Sequence, residues 1–253
     1  MIEIMITGAL GHMGRTVARL AEEDAEVRVV AGVDKNAAQG GSLPFPMYAD
    51  PMEYGGEVGV IVDFSAPDAL PALLRCCLAR KIPLVLCTTG HSAEELRTLR
   101  EASRTIPVFR TGNLSLGINL LAELVRRASA VLGDGFDVEI LERHHRRKAD
   151  APSGTAIMLA NAASEDETKY IFERNSRRGP RVQGEIGISS VRGGTIVGEH
   201  EVIFAGTDEV IELRHSASSR DVFAVGALRA AKFMAAQKIP GMYDMTDALA
   251  SVM

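Results

Sequence analysis

The chain has 253 residues, 46% of them hydrophobic, enough to bury a large core in one large domain or two smaller ones. Its formal charge is −5, from 28 Lys+Arg against 33 Asp+Glu, which excludes the broad basic face of a nucleic-acid-binding domain. Three cysteines, two of them adjacent (Cys76, Cys77), are no disulfide framework, and no apolar run approaches a membrane span. With no basic leader or cleavage site ahead of residue 2, a soluble, cytoplasmic protein is expected. It should bind neither nucleic acid nor membrane, and no metal site is expected.

The first half alternates apolar β-type runs with helical patterns. Strands are predicted at 2–7, 27–34, 58–64, 84–88 and 108–110, and helices at 13–23, 68–80 and 92–103. Near-continuous apolar strands separated by helices imply βαβ units and a parallel sheet covered on both faces. The Gly- and Pro-rich stretch 39–56 reads as an irregular excursion after the second strand.

The first strand runs into Gly8-Ala9-Leu10-Gly11-His12-Met13-Gly14 and then an apolar helical pattern. The G-x-x-G-x-x-G spacing is a variant of the dinucleotide fingerprint: Gly8 for a tight turn, Gly11 for close approach to a pyrophosphate, Gly14 for helix–strand packing. Asp34 ends the second strand, twenty residues beyond Gly14, where a carboxylate accepts hydrogen bonds from ribose hydroxyls. Cys87-Thr88-Thr89-Gly90 and Thr111-Gly112-Asn113-Leu114 end the fourth and fifth strands. These are carboxyl ends of parallel strands, where open α/β sheets bind ligands.

After Asn113 the texture changes. A helix is predicted from about 117 to 132, ended by Gly133-Asp134-Gly135, and strands follow at 138–142, 185–192, 195–205 and 209–216. Strands with few helices between them suit an α+β domain whose sheet is mixed or antiparallel. Residues 165–181 form a polar loop, a helical pattern returns at Asp221, and 242–253 makes a last short amphipathic piece. The expected organisation is therefore a Rossmann-type parallel domain over 1–114 and a second, α+β domain over 115–220. Helices in 221–253 would pack back on the first.

The richest stretch is Glu142-Arg143-His144-His145-Arg146-Arg147-Lys148-Ala149-Asp150-Ala151-Pro152-Ser153-Gly154-Thr155. Six consecutive basic or titratable side chains precede a helix start with Ser153 as N-cap. A solvated charge run accounts for the basic residues alone. The cap directly behind them adds the N–H groups of a helix N-terminus, and the combination suits a small polyanion, a dicarboxylate.

Together these motifs resemble the dihydrodipicolinate reductase (4-hydroxy-tetrahydrodipicolinate reductase) family of bacterial lysine biosynthesis. The resemblance runs through the glycine loop, Asp63-Phe64-Ser65-Ala66-Pro67, Thr88-Thr89-Gly90, Asn113-Leu114-Ser115 and the block 142–155. It continues in Arg192-Gly193-Gly194-Thr195-Ile196-Val197-Gly198-Glu199-His200 and Ala217-Ser218-Ser219-Arg220. It implies reduction of a cyclic dicarboxylate by NADH or NADPH, giving tetrahydrodipicolinate, in a homotetramer built through the second domains' sheets. His144 takes the position of proton donor/acceptor and Lys148 that of proton donor, while His145, Gly154 and Thr155 hold the substrate carboxylates. Nucleotide contacts are implied for Gly8, Ala9, Leu10, Gly11, His12, Met13, Asp34, Lys35, Cys87, Thr88, Thr89, Thr111, Gly112, Asn113 and Leu114.

Three positions depart from the family pattern: Cys87 stands where Gly is common, Leu114 where Phe is common and His12 where Arg is frequent. Without that Arg to meet a 2′-phosphate, and with Asp34 beside Lys35, both coenzymes are expected with a lean to NADH. Two other readings use the same scaffold. One is a related NAD(P)-dependent oxidoreductase on another amino-acid-derived substrate, the other a non-catalytic nucleotide-sensing regulator. The whole 142–155 block argues against the first, and the presence of both His144 and Lys148 against the second.

Overall fold

The computed structural model describes residues 1–39, 43–172, 174 and 178–250. Residues 40–42 of the expected excursion, 173 and 175–177 of the polar loop and 251–253 of the last amphipathic piece lie outside the described residues. The first half runs β1 (Ile2–Thr7), α1 (His12–Glu22), β2 (Val27–Val33), β3 (Met47–Tyr48), β4 (Val60–Asp63), α2 (Leu70–Arg80), β5 (Leu84–Leu86), α3 (Ala93–Ala102) and β6 (Pro107–Arg110). The second half runs α4 (Leu116–Leu132), β7 (Asp137–His144), α5 (Gly154–Ala163), β8 (Tyr170–Ile171), β9 (Ile186–Arg192), β10 (Gly198–Ala205) and β11 (Val210–Ala217). It closes with α6 (Asp221–Ala236), β12 (Gly241–Tyr243) and α7 (Met245–Ala250).

The strands form two sheets. The first has the order β12-β6-β5-β4-β1-β2-β3 and all its pairings are parallel. The chain builds outward from β1 to β2 and β3, then returns to the other side of β1 for β4, β5 and β6. The gap between β1 and β4 is thus a topological switch point, where such sheets bind ligands at the strands' carboxyl ends. All four residues of β4 are buried, as expected of a strand covered on both faces. Its Ile61 shares a core with Met5, Leu73, Leu84 and Val108.

The second sheet has the order β11-β10-β7-β9-β8 and is mixed: β10 pairs antiparallel with β7 and β11, whereas β7–β9 and β9–β8 are parallel. Helices α4 and α5 cover one face, with Ile118, Val125, Ile140, Leu159, Val202 and Phe204 in the core between. Two compact units result, Met1–Leu114 with Phe223–Met253, and Ser115–Val222.

Three elements differ from the sequence reading. The 39–56 excursion contains β3, two residues long and too short to show a period. The 242–253 piece begins as β12, which joins the parallel sheet beside β6, before turning into α7. The polar 165–181 stretch holds β8, and two of its arginines are paired: Arg174 with Glu139 and Glu185, Arg181 with Asp137 and Glu139. Long-range partners of this kind carry no local signal.

Candidate active site

The glycine loop is a turn that only glycine permits. Gly8 has φ +69°, and a Cβ there would lie 2.3 Å from the Phe64 carbonyl oxygen, while a Cβ at Gly14 would lie 2.3 Å from the Gly8 carbonyl oxygen. The Gly8 and Ala9 N–H groups donate to the Val33 carbonyl at 2.8 and 3.2 Å, which fixes the loop to the end of β2. Gly11 is the N-cap of α1 and offers no side chain to its first turn, so the N–H groups there form an open anion site. Asp34 completes the arrangement: Oδ2 accepts from the Leu10 N–H at 3.2 Å and Oδ1 from the Asn36 N–H at 3.0 Å. A carboxylate is thereby held beside the glycine turn with lone pairs to spare for a ligand's hydroxyls. These features fit a dinucleotide.

Around the loop, Leu10 and Met13 are half-buried, whereas His12 and Lys35 are exposed. Thr88 and Thr89 follow β5, and Thr111 to Leu114 follow β6, where the Thr111 hydroxyl donates to the Asn113 carbonyl at 3.0 Å. Leu114 itself is buried. Burial, and secondarily the charge of Asp63, hold the Cys87 thiol well above its ordinary pKa, so it is protonated at neutral pH. Asp63 is the residue in this region to which the sequence reading gave no role. Fully buried at the end of β4, it accepts from the hydroxyls of Thr7 (2.6 Å), Ser65 (2.5 Å) and Thr88 (2.5 Å).

In the second unit the 142–155 block divides between the two faces of β7. Successive residues of a strand point to opposite sides, so Glu142 and His144 are buried on the helix-covered face. Arg143 projects from the other, where it pairs with Glu201 at 2.9 Å and Glu199 at 3.6 Å. The six basic side chains therefore do not all converge: Arg143 is committed elsewhere, and Arg146 and Arg147 are exposed. Lys148 is largely shielded and pairs with Asp150 at 2.8 Å. His145 lies within 3.2 Å of Arg220, from Nε2 to Nη2. Ser153 caps α5 through Oγ, which accepts from the Ala156 N–H at 3.1 Å, and Gly154 and Thr155 are the first two helical residues.

Behind this surface lies a charged network. His144 Nδ1 is 2.6 Å from Glu142 Oε2, and Arg192 donates to both Glu142 oxygens at 2.7 and 2.6 Å. Burial opposes the charge of Glu142, but hydrogen bonds from Arg192, Ser190 and His144 outweigh it and lower the carboxyl to about 2. Burial also lowers His144, against the pull of Glu142 and with the help of Lys148 and Arg192. His200, whose ring stacks edge-on to His144 with centroids 5.1 Å apart, is pushed down to about 4 by burial and then by its neighbour. Both imidazoles are neutral at neutral pH.

Residues 2–114 match the family described as "Dihydrodipicolinate reductase, N-terminus", and residues 117–249 match "Dihydrodipicolinate reductase, C-terminus". The chain belongs to the dihydrodipicolinate reductase family. Curated family members include the 4-hydroxy-tetrahydrodipicolinate reductases of Caldanaerobacter subterraneus subsp. tengcongensis and Clostridium botulinum. The first is 53% identical over 250 residues and the second 44% over 252, covering 98% of both chains in each case. Among solved structures, dipicolinate-bound dihydrodipicolinate reductase from Paenisporosarcina sp. TG-14 shares the fold. Its TM-score is 0.80 at 23% identity, with 96% of this chain and 97% of that chain covered. A probable dehydrogenase from Thermotoga maritima shares it more loosely, with TM-score 0.65 at 11% identity over 99% of this chain and 93% of its own.

Glu142, Arg192 and His200 were visible in the sequence only as members of family motifs. A signal for Glu142 existed: it precedes His144 by two, the spacing that puts both side chains on one face of a strand.

Proposed function

We propose that this chain is an NAD(P)H-dependent oxidoreductase that converts 4-hydroxy-tetrahydrodipicolinate, which loses water to give dihydrodipicolinate, to tetrahydrodipicolinate by adding a hydride and a proton, in the diaminopimelate route to L-lysine. The observation that carries the reading is the 142–155 block, which joins a buried, carboxylate-paired imidazole, a shielded lysine and a capped helix start. It does so in a chain 53% identical to a relative of that activity. A purely sensory protein has no use for the acid/base pair.

The first unit holds the coenzyme. The N–H groups at the start of α1 face the pyrophosphate and Asp34 the adenosine ribose. Thr88, Thr89 and the turn 111–114 hold the nicotinamide half. When bound, the dihydronicotinamide supplies a hydride. In the second unit, His145 and the N–H groups of Gly154 and Thr155 hold the carboxylates of the substrate, as preorganised donors that need no rearrangement. Lys148 delivers the proton that quenches negative charge on the reduced ring, and His144 Nε2 gives or takes a proton beside it.

The same proposal includes a lean to NADH, a cytoplasmic location and a homotetramer assembled through the second unit's sheet. Supporting the last, the face of that sheet opposite α4 and α5 presents Leu141, Ile203 and Val191 among the Arg143–Glu199–Glu201 ion pairs. A coupled assay tests the activity: pyruvate, aspartate semialdehyde and a dihydrodipicolinate synthase are supplied with NADH or NADPH. Loss of nicotinamide absorbance beyond a synthase-only control is expected; no excess loss overturns the reading.

A further inference from the structure

Glu142 is charged yet has no exposed side-chain surface, and every contact it makes leads to the site. Oε2 accepts from Arg192 Nη1 at 2.7 Å and faces His144 Nδ1 at 2.6 Å; Oε1 accepts from Arg192 Nη2 at 2.6 Å and the Ser153 N–H at 3.1 Å. Arg192 stands opposite His144 in the parallel pairing of β7 and β9, which lets its guanidinium fork reach Glu142 diagonally. Replacing a buried ion pair by well-packed apolar residues is often neutral or stabilising, so stability alone gives little reason for a charged pair here.

An ionised carboxylate only accepts hydrogen bonds, so the proton of neutral His144 sits on Nδ1. The lone pair is then on Nε2, at the ring edge beside Gly198, where an added Cβ would come within 3.2 Å of that nitrogen. We propose that Glu142, clamped by Arg192, is a positioning residue that fixes the tautomer of His144 with Nε2 as its reactive nitrogen. The same carboxylate holds Ser153, and with it the first turn of α5, in register with that imidazole. The proposal rests on the acid/base role given to His144 above. Three charged groups face the His144 ring and set its charge: Glu142 on its own strand favours the imidazolium, while Lys148 in the following loop and Arg192 on β9 oppose it; neutral His200 on β10 packs edge-on against the ring.

The tautomer is read directly by ¹⁵N NMR of histidine-labelled protein, with the His144 signals assigned by their loss in His144→Asn. The parent protein should show a protonated Nδ1. In Glu142→Gln, the amide oxygen stays with Arg192 and the amide N–H₂ turns to His144, which moves the ring proton to Nε2. Turnover should then fall by about 10²–10³-fold, with KM changed less than about threefold and NADH affinity unchanged. A parent His144 protonated at Nε2 overturns the proposal, and needs no variant to fold. So does a folded Glu142→Gln protein within about threefold of parental kcat while His144→Asn is crippled. Parental turnover in His144→Asn overturns instead the acid/base reading beneath it.

Discussion

The Thr88 hydroxyl donates a 2.5 Å hydrogen bond to Asp63 Oδ2, while Oδ1 of the same carboxylate accepts from Thr7 at 2.6 Å. Three neighbouring strands, β1, β4 and β5, thus have their carboxyl ends gathered on one buried side chain, beside the switch point proposed to hold the nucleotide. The Ser65 N–H and hydroxyl add to Oδ1, so the loop that presses on Gly8 is tied to the same group.

Asp63→Asn should therefore harm binding as well as folding. The amide N–H₂ cannot accept, so at least one hydroxyl loses its acceptor and a buried donor is left to face another; the expected loss is about 1–3 kcal/mol. NADH affinity should weaken about tenfold or more, because the Thr88 and Gly8 turns share the anchor. Thermal unfolding and fluorescence titration with NADH measure the two effects. A destabilised variant with parental affinity would mean that Asp63 only stabilises the sheet.

Lys148→Ala removes the proposed proton donor and should lower kcat by about 10²–10⁴-fold. NADH binding should stay unchanged, since Lys148 belongs to the second unit. His144→Ala should be similarly damaging, whereas His145→Ala should act mainly on KM as a loss of carboxylate binding. Steady-state kinetics separate these patterns, and a Lys148→Ala enzyme within a few-fold of the parent would reduce that lysine to a partner of Asp150.

How much of the fold and site is readable from sequence depends on how local the signal is. Apolar runs and caps mark β1, α1, β2, α3 and α4 to within a residue or two at each end, because period and capping chemistry act over a few neighbours. The G-x-x-G-x-x-G loop and Asp34 are legible for the same reason. Short β3, β8 and β12 are not, since two or three residues carry no period and their pairing partners are remote. In the site, the basic run shows which residues are cationic but not which way they point. Strand alternation sends Arg143 away to Glu201 and turns His144 inward to Glu142, and that follows only once β7 is known to reach residue 144.

Acid should lower the stability of the fold in two stages. His200 titrates at about 4 when folded against 6.5 ordinarily; a depressed imidazole favours the folded state above pH 6.5, and that contribution is lost as pH falls from 6.5 to 4. Glu142 titrates at about 2 against 4.5; its contribution is present above pH 4.5 and is lost between 4.5 and 2. At about 1.4 kcal/mol for each tenfold change in proton affinity, each contributes roughly 3 kcal/mol. Urea unfolding across a pH series should show both declines, with His200→Gln flattening the upper one and Glu142→Gln the lower. An upper decline that survives His200→Gln must belong to another group.

In the proposed coenzyme site, the choice between NADH and NADPH should rest on Asp34 and Lys35. The Asp34 carboxylate is held by the Leu10 and Asn36 N–H groups, so it should meet the adenosine ribose in a fixed position and repel a 2′-phosphate there. Lys35 is exposed and can swing to that phosphate, offsetting the repulsion by a charge-assisted contact, while His12 lacks the permanent charge of an arginine. Dual use is expected, with kcat/KM favouring NADH by no more than about tenfold, or roughly 1.4 kcal/mol. Lys35→Ala should widen the preference. Asp34→Ala should narrow or reverse it and also weaken both coenzymes, because the Leu10 N–H loses the acceptor that shapes the phosphate turn. Kinetics with both coenzymes at one ionic strength decide the matter: a clear preference for NADPH in the parent protein would mean that Lys35 outweighs Asp34.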